Sequence, residues 1–144
     1  MFRKSAVLAI VGLLAICSAT EAAVLTVKEE MKQFVEPLSN TLFAVGGEVD
    51  PANGPDAPKV TDKRWDEAAD AADVLTRVSA ALGDKDRAKP GPEWAAMAQQ
   101  MHEISERALK AAMTRDGAGL AQAANDLSDN CSACHAKFKP QTGD

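Results

Sequence analysis

Four stretches of the chain repeat apolar residues at alternating spacings of three and four, the period of a helix with one buried face. The first runs Val27, Met31, Phe34, Leu38, Leu42 and Val45, and the second Trp65, Ala68, Ala72, Leu75, Val78 and Leu82. The third runs Trp94, Met97, Met101, Ile104 and Ala108, continuing to Ala111 or Ala112, and the fourth Leu120, Ala124, Leu127, Cys131, Cys134 and Phe138. Each stretch has a start signal. Thr26-Val27-Lys28-Glu29 reads as a capping box, in which hydroxyl and carboxylate satisfy orphan amides reciprocally. Thr61 is a good N-cap, with Val60 and Trp65 at the positions of a hydrophobic staple. Pro92 suits a first helical position, and Asp116 caps the last helix. Pro37 lacks the amide that would bond to the Gln33 carbonyl, so a kink is expected there. Gly46-Gly47 is expected to end the first helix, Gly83 the second and Pro140 the fourth.

The connections fit this scheme. Residues 46–60 hold three prolines and three glycines and read as a turn-rich loop. A charged loop follows the second helix through Lys89. Arg115-Asp116-Gly117 is tight enough to make helices three and four antiparallel neighbours. Alanine is abundant and β-branched residues are scattered, so the expected fold is all-α, an antiparallel four-helix bundle. Alanines line several seams, at Ala68, Ala72, Ala108, Ala111 and Ala124. Either the helices close tightly there or something else fills the interior.

Residues 1–22 carry the pattern of a secretory signal peptide. Arg3 and Lys4 precede an apolar run from Ala6 to Ile16, and small residues allow cleavage after Ala19 or Ala22. The run is too short to be a convincing membrane span. Ile16 before Cys17 stands where a lipobox carries glycine or alanine, so Cys17 reads as part of the leader and no stable membrane anchor is expected. Residues 23–144 would then form one exported domain, periplasmic in a Gram-negative host. Of the 144 residues, 16 are basic and 21 acidic, a net charge of −5. Loss of Arg3, Lys4 and Glu21 with the leader makes the remainder one unit more negative. A basic nucleic-acid-binding face is not expected. No nucleophile–base pair, phosphate loop or paired-carboxylate pattern suggests an enzyme. Asp62, Asp66, Glu67, Asp70 and Asp73 follow a solvated helix face, which can also steer a basic redox partner.

The residues that change the picture are Cys131-Ser132-Ala133-Cys134-His135, a C-x-x-C-H run that is the attachment signature of c-type haem. Thiols three positions apart lie on nearly one helix face, so both can add across the vinyl groups on one edge of a porphyrin. Each addition puts sulfur on one vinyl carbon and hydrogen on the other, and nothing leaves. The next residue, His135, can present its imidazole to the iron. Both cysteines fall in the apolar stripe, which would turn the large apolar face of the haem toward the core. A structural zinc site needs four ligands, and beyond the motif only His102 offers one. A thioredoxin-like dithiol belongs at a helix N-terminus in a strand-rich unit, whereas this motif ends a helical pattern.

A helical bundle with C-x-x-C-H in its last helix resembles the class II c-type cytochromes, cytochrome c′ and its low-spin relatives. The specific likeness is confined to residues 131–139. It implies one covalent haem c with its iron, thioether bonds at Cys131 and Cys134, and His135 as the fifth ligand. Lys139 stands where the family often has a basic residue near a haem propionate. Low-spin members take their sixth ligand from a methionine early in helix one, and Met31 stands there. A neutral thioether ligand raises the potential and suits single-electron transfer to redox partner proteins. Five-coordinate members leave the distal side open, and some bind small gases such as NO or CO, which is the alternative function. Bundles of this class often form homodimers through helices one and two. Met97, Met101 and Met113 are better explained by packing on helix three, and His102 reads as a rim histidine.

Overall fold

The structure, a computed structural model, describes residues 25–54, 60–84 and 91–139. The expected signal segment with its cleavage positions and Cys17, residues 55–59 and 85–90 of the two loops, and Pro140 with the tail lie outside the described residues. The chain is all-helical, with four helices and no strand among the described residues. Helix α1 covers residues 27–49, in three parts: Val27–Glu30, a π-helical turn at Met31–Val35, and Glu36–Val49. Helices α2, α3 and α4 are Asp62–Leu82, Pro92–Thr114 and Gly117–Phe138. No helix among the described residues is long and apolar enough to cross a membrane.

The caps form as the sequence implies. Thr26 and Glu29 make the full capping box, Thr61 accepts from the Arg64 amide, and Asp116 accepts from the Gly119 amide. Helix α3 ends on Arg115 in the left-handed conformation, φ 55°, which turns the chain directly into α4.

Each helix packs on its neighbours in the order α1–α2–α3–α4–α1. Named contacts fix the directions. Arg64 near the start of α2 pairs with Glu48 near the end of α1, and Asp62 pairs with Arg115 at the end of α3. At the opposite end the Trp94 indole N–H donates to the Leu82 carbonyl at 2.6 Å, and Lys137 pairs with Glu93 at 2.7 Å. The helices therefore alternate up and down. The start of α1, the end of α2, the start of α3 and the end of α4 share one end. A single core runs through the middle, with Leu42, Val45, Trp65, Leu75, Ile104, Leu120 and Leu127 buried in it.

Helix α1 differs from expectation in three ways, all with one origin or the other in packing. The break at Pro37 is a π turn lying just ahead of it, in which the Glu36 amide bonds to the Met31 carbonyl five residues back. Such turns are a recognised way of interrupting an α-helical ladder. The extra residue rotates the stripe: Phe34 is 39% exposed, and Val35 takes the buried place expected for it. Gly46-Gly47 does not end the helix, which runs on to Val49. Gly46 is buried where α1 meets α4, and a Cβ built on it would stand 2.7 Å from that of Ala124. The glycine is there for close approach, so on this seam the small residues let the helices close. The chain then leaves α1 through a 3-10 turn at Pro51–Asn53, where the Asn53 side chain donates to the Gly47 carbonyl at 3.1 Å.

Candidate functional site

The C-x-x-C-H run occupies the last two turns of α4. Cys131 and Cys134 are half-buried, pack against the core and form no disulfide. Burial pushes both thiols above the ordinary cysteine value, and the neighbouring Cys134 adds to the rise at Cys131. The partial negative charge of a helix C-terminus disfavours a thiolate as well. These are protonated thiols in apolar surroundings, the opposite of the activated pair of a disulfide oxidoreductase. Among the described residues, no three His, Cys, Asp or Glu side chains converge as a metal-ligand set.

Phe138, one turn beyond Cys134, packs edge-on against Trp94 with ring centroids 5.2 Å apart and planes at 80°. The Asn130 amide donates to the Met97 carbonyl at 3.4 Å, fixing the level of α4 against α3. His135 is exposed. It lies on the helical row of Ala124, Ser128 and Cys131, the row that meets α1 at Gly46. Lys139 is the exposed C-cap of α4, and its amide donates to the His135 carbonyl at 3.1 Å.

The register of α1 against α4 decides what stands near the motif. Antiparallel helices meet again after two turns, at steps of about seven residues. One such step from Gly46 and Ala124 leads to Ser39 and Cys131. One further step along α4 leads to Phe138. On α1 it leads past the π turn to Met31, which is half-buried and packs on the core, while Lys32 beside it is exposed. Met31, Cys131, Cys134 and His135 therefore share one end of the bundle, where the turn that carries Met31 packs against α2. His102 does not belong with them. It stands on α3, about 15 Å along the axis from His135 at roughly 1.5 Å per residue. Its Nδ1 is 2.9 Å from the Thr76 carbonyl and its Nε2 3.5 Å from Glu106. Met97 is half-buried, Met101 buried and Met113 exposed.

Sequence reasoning missed Ser39. It is 4% exposed, and its hydroxyl has no hydrogen-bond partner among the described residues. A buried hydroxyl left unpaired costs about 1–3 kcal/mol. Its signal in the sequence is weak: about half a turn of phase, two residues of slip, separates an inward serine from an outward one. Two unpaired thiols one turn apart with a histidine beside them, and a thioether at the same end, are the kinds of donor that a covalently linked haem would take. Comparisons with protein-family models, with curated proteins and with solved structures returned no match. The class that fold and site define is thus a four-helix protein carrying a C-x-x-C-H motif on its last helix.

Proposed function

We propose that this chain is an exported monohaem c-type cytochrome that carries single electrons, with the haem held by Cys131 and Cys134. The observation that carries the reading is the position of the motif: both thiols lie inward on the final turns of α4, free of any disulfide. The bound group would supply an iron that changes oxidation state by one electron. The chain would supply its attachment and its surroundings. His135 would be the proximal ligand through one ring nitrogen and Met31 the distal ligand through its sulfur, so that little rearrangement accompanies electron transfer. The Trp94–Phe138 pair and the Leu82 backbone would form the apolar wall at that end. Lys139 would offer its ammonium to a propionate. The outward carboxylates of α2 would meet a redox partner protein.

Optical spectra of ferric and ferrous protein, matured in a host that attaches haem, test this directly. The expected result is a low-spin ferric spectrum with a thioether-to-iron charge-transfer band, and haem staining that survives denaturation. Met31→Ala should lower the reduction potential and open the iron to carbon monoxide. A high-spin ferric spectrum lacking that band would remove Met31 from the iron and leave the gas-binding alternative. Colourless protein without the added mass of the cofactor would end the proposal.

A further inference from the structure

Both thiols of the motif lie in the last two turns of α4, where a helix is least held. Just ahead of them the Asn130 amide donates to the Met97 carbonyl at 3.4 Å. The helix ends at Phe138, and Lys139 is already extended, at φ −73° and ψ 124°. A final turn leaves its carbonyls without partners in the helix and frays readily. Here it is pinned to the start of α3. The Phe138 ring stands edge-on to Trp94, with centroids 5.2 Å apart, and the Lys137 ammonium lies 2.7 Å from Glu93. Trp94 is a fixed platform: it is buried, and its indole N–H donates to the Leu82 carbonyl at the end of α2. Cys134 is one turn from Phe138 and Cys131 two, and all three pack on the core from one row.

We infer that Phe138 on Trp94, backed by Lys137 on Glu93, is a latch: it shuts the motif-bearing turns of α4 against the bundle, and Cys131 and Cys134 become reachable together when it opens. The aromatic contact carries most of the hold, because it is largely buried while both partners of the ion pair are exposed to water. The inference concerns the chain before any cofactor is linked, and it rests on the proposed function only for what enters. A haem arriving from solvent reaches both sulfurs after these turns swing away from α3. While the latch is shut, the thiols are kept from oxidants and other electrophiles as well.

The test is iodoacetamide alkylation of the full chain, expressed without haem and kept reduced by a phosphine, with labelling at Cys131 and at Cys134 followed by mass spectrometry. A site that reacts only when open is labelled at a rate proportional to its open fraction. Phe138→Ala should speed both cysteines by about tenfold, and Lys137→Ala by up to about fivefold. Phe138→Tyr keeps the ring contact and should stay near wild type. Ile104→Val lies in the core about 15 Å along α3 from Trp94, at roughly 1.5 Å per residue. It weakens the fold as a whole and should leave both rates unchanged. Unchanged labelling in Phe138→Ala, or labelling that quickens at Cys134 alone because the ring only shields its neighbour, would overturn the latch. So would rates that rise in Ile104→Val, since global unfolding would then be what exposes the thiols. Latch behaviour in a chain that takes up no haem in an attaching host would remove the proposed cofactor and leave this device standing.

Discussion

Substituting alanine at two adjacent glycines should have opposite effects, and the difference measures the register on which the site depends. Gly46 and Gly47 both sit inside α1, where alanine is favoured over glycine by about 0.8–1.0 kcal/mol. At Gly47 nothing lies within 4 Å of an added Cβ, so Gly47→Ala should stabilise the protein by about that amount. At Gly46 the added carbon would meet the Ala124 Cβ at 2.7 Å, with the Leu120 carbonyl at 3.5 Å and the Ala121 Cα at 3.7 Å. The Ala124 Cβ is fixed to its backbone and cannot rotate away, so α1 and α4 must separate. Overpacking of this kind costs about 1–3 kcal/mol, and Gly46→Ala should be neutral to about 2 kcal/mol destabilising after the helical gain. Urea unfolding followed by helical circular dichroism gives both values. Combining Gly46→Ala with Ala124→Gly should recover stability beyond the sum of the two single changes. If Gly46→Ala stabilises as much as Gly47→Ala, α1 and α4 do not meet at Gly46 and Ala124, and the layers assigned to Ser39 and Met31 lose their basis.

Other consequences can be checked on the same protein. Trp94→Phe removes the donor to the buried Leu82 carbonyl and should destabilise by about 1–3 kcal/mol in urea, whereas a surface change such as Gln99→Ala should not. The Asp126 carboxyl is held below its ordinary value by the Gln122 amide and Arg107, Glu67 by Arg64 and Lys63, and Glu29 by Thr26. Their contributions are complete above the unfolded carboxylate values and are lost as pH falls through the lower folded values. Stability should therefore drop below about pH 4, and Asp126→Asn should flatten that slope. In chain that carries no haem, Cys131 and Cys134 should be alkylated more slowly than an exposed peptide thiol at pH 8, because burial keeps them protonated. Alkylation at the rate of the free peptide would place them outside the core.

What could be read in the sequence was local or periodic. The capping box at Thr26, the caps at Thr61 and Asp116, and the inward position of Cys131, Cys134 and Phe138 all follow from neighbours within a turn or from a repeat in a regular helix. Gly46 shows where that reasoning stops. Two glycines in succession weaken a helix, but here close packing of α1 on α4 outweighs propensity and carries the helix to Val49. The burial of Ser39 and Asn130 was hidden for a related reason. Whether a polar side chain on a helix faces water or core depends on which neighbour covers it, and no single stretch of sequence states that. That Met31 and the motif lie at one end of the bundle likewise needs the antiparallel order of the helices, which the sequence supplied only for α3 and α4 through their short turn.

The π turn ties the backbone of α1 to the chemistry of the seam. Pro37 cannot donate to the Gln33 carbonyl, and in a regular helix its ring would crowd that group. The ladder slips by one residue just ahead of it, so the Glu36 amide reaches Met31. Everything upstream is thereby rotated by about a third of a turn relative to an unbroken helix. In the unbroken helix the residue two turns before Ser39 would be Lys32, and the row facing α4 would end in an ammonium. With the slip, Met31 turns inward against the core and Lys32 turns out to solvent. A stripe drawn through Phe34 satisfied the sequence on both sides only because it averaged two phases. The distinction is chemical as much as geometric: an ammonium has no lone pair to offer iron, and a thioether has. In the proposed cytochrome, the accommodation of one proline thus decides whether a thioether or an ammonium is turned inward at the end of the bundle that carries the C-x-x-C-H run.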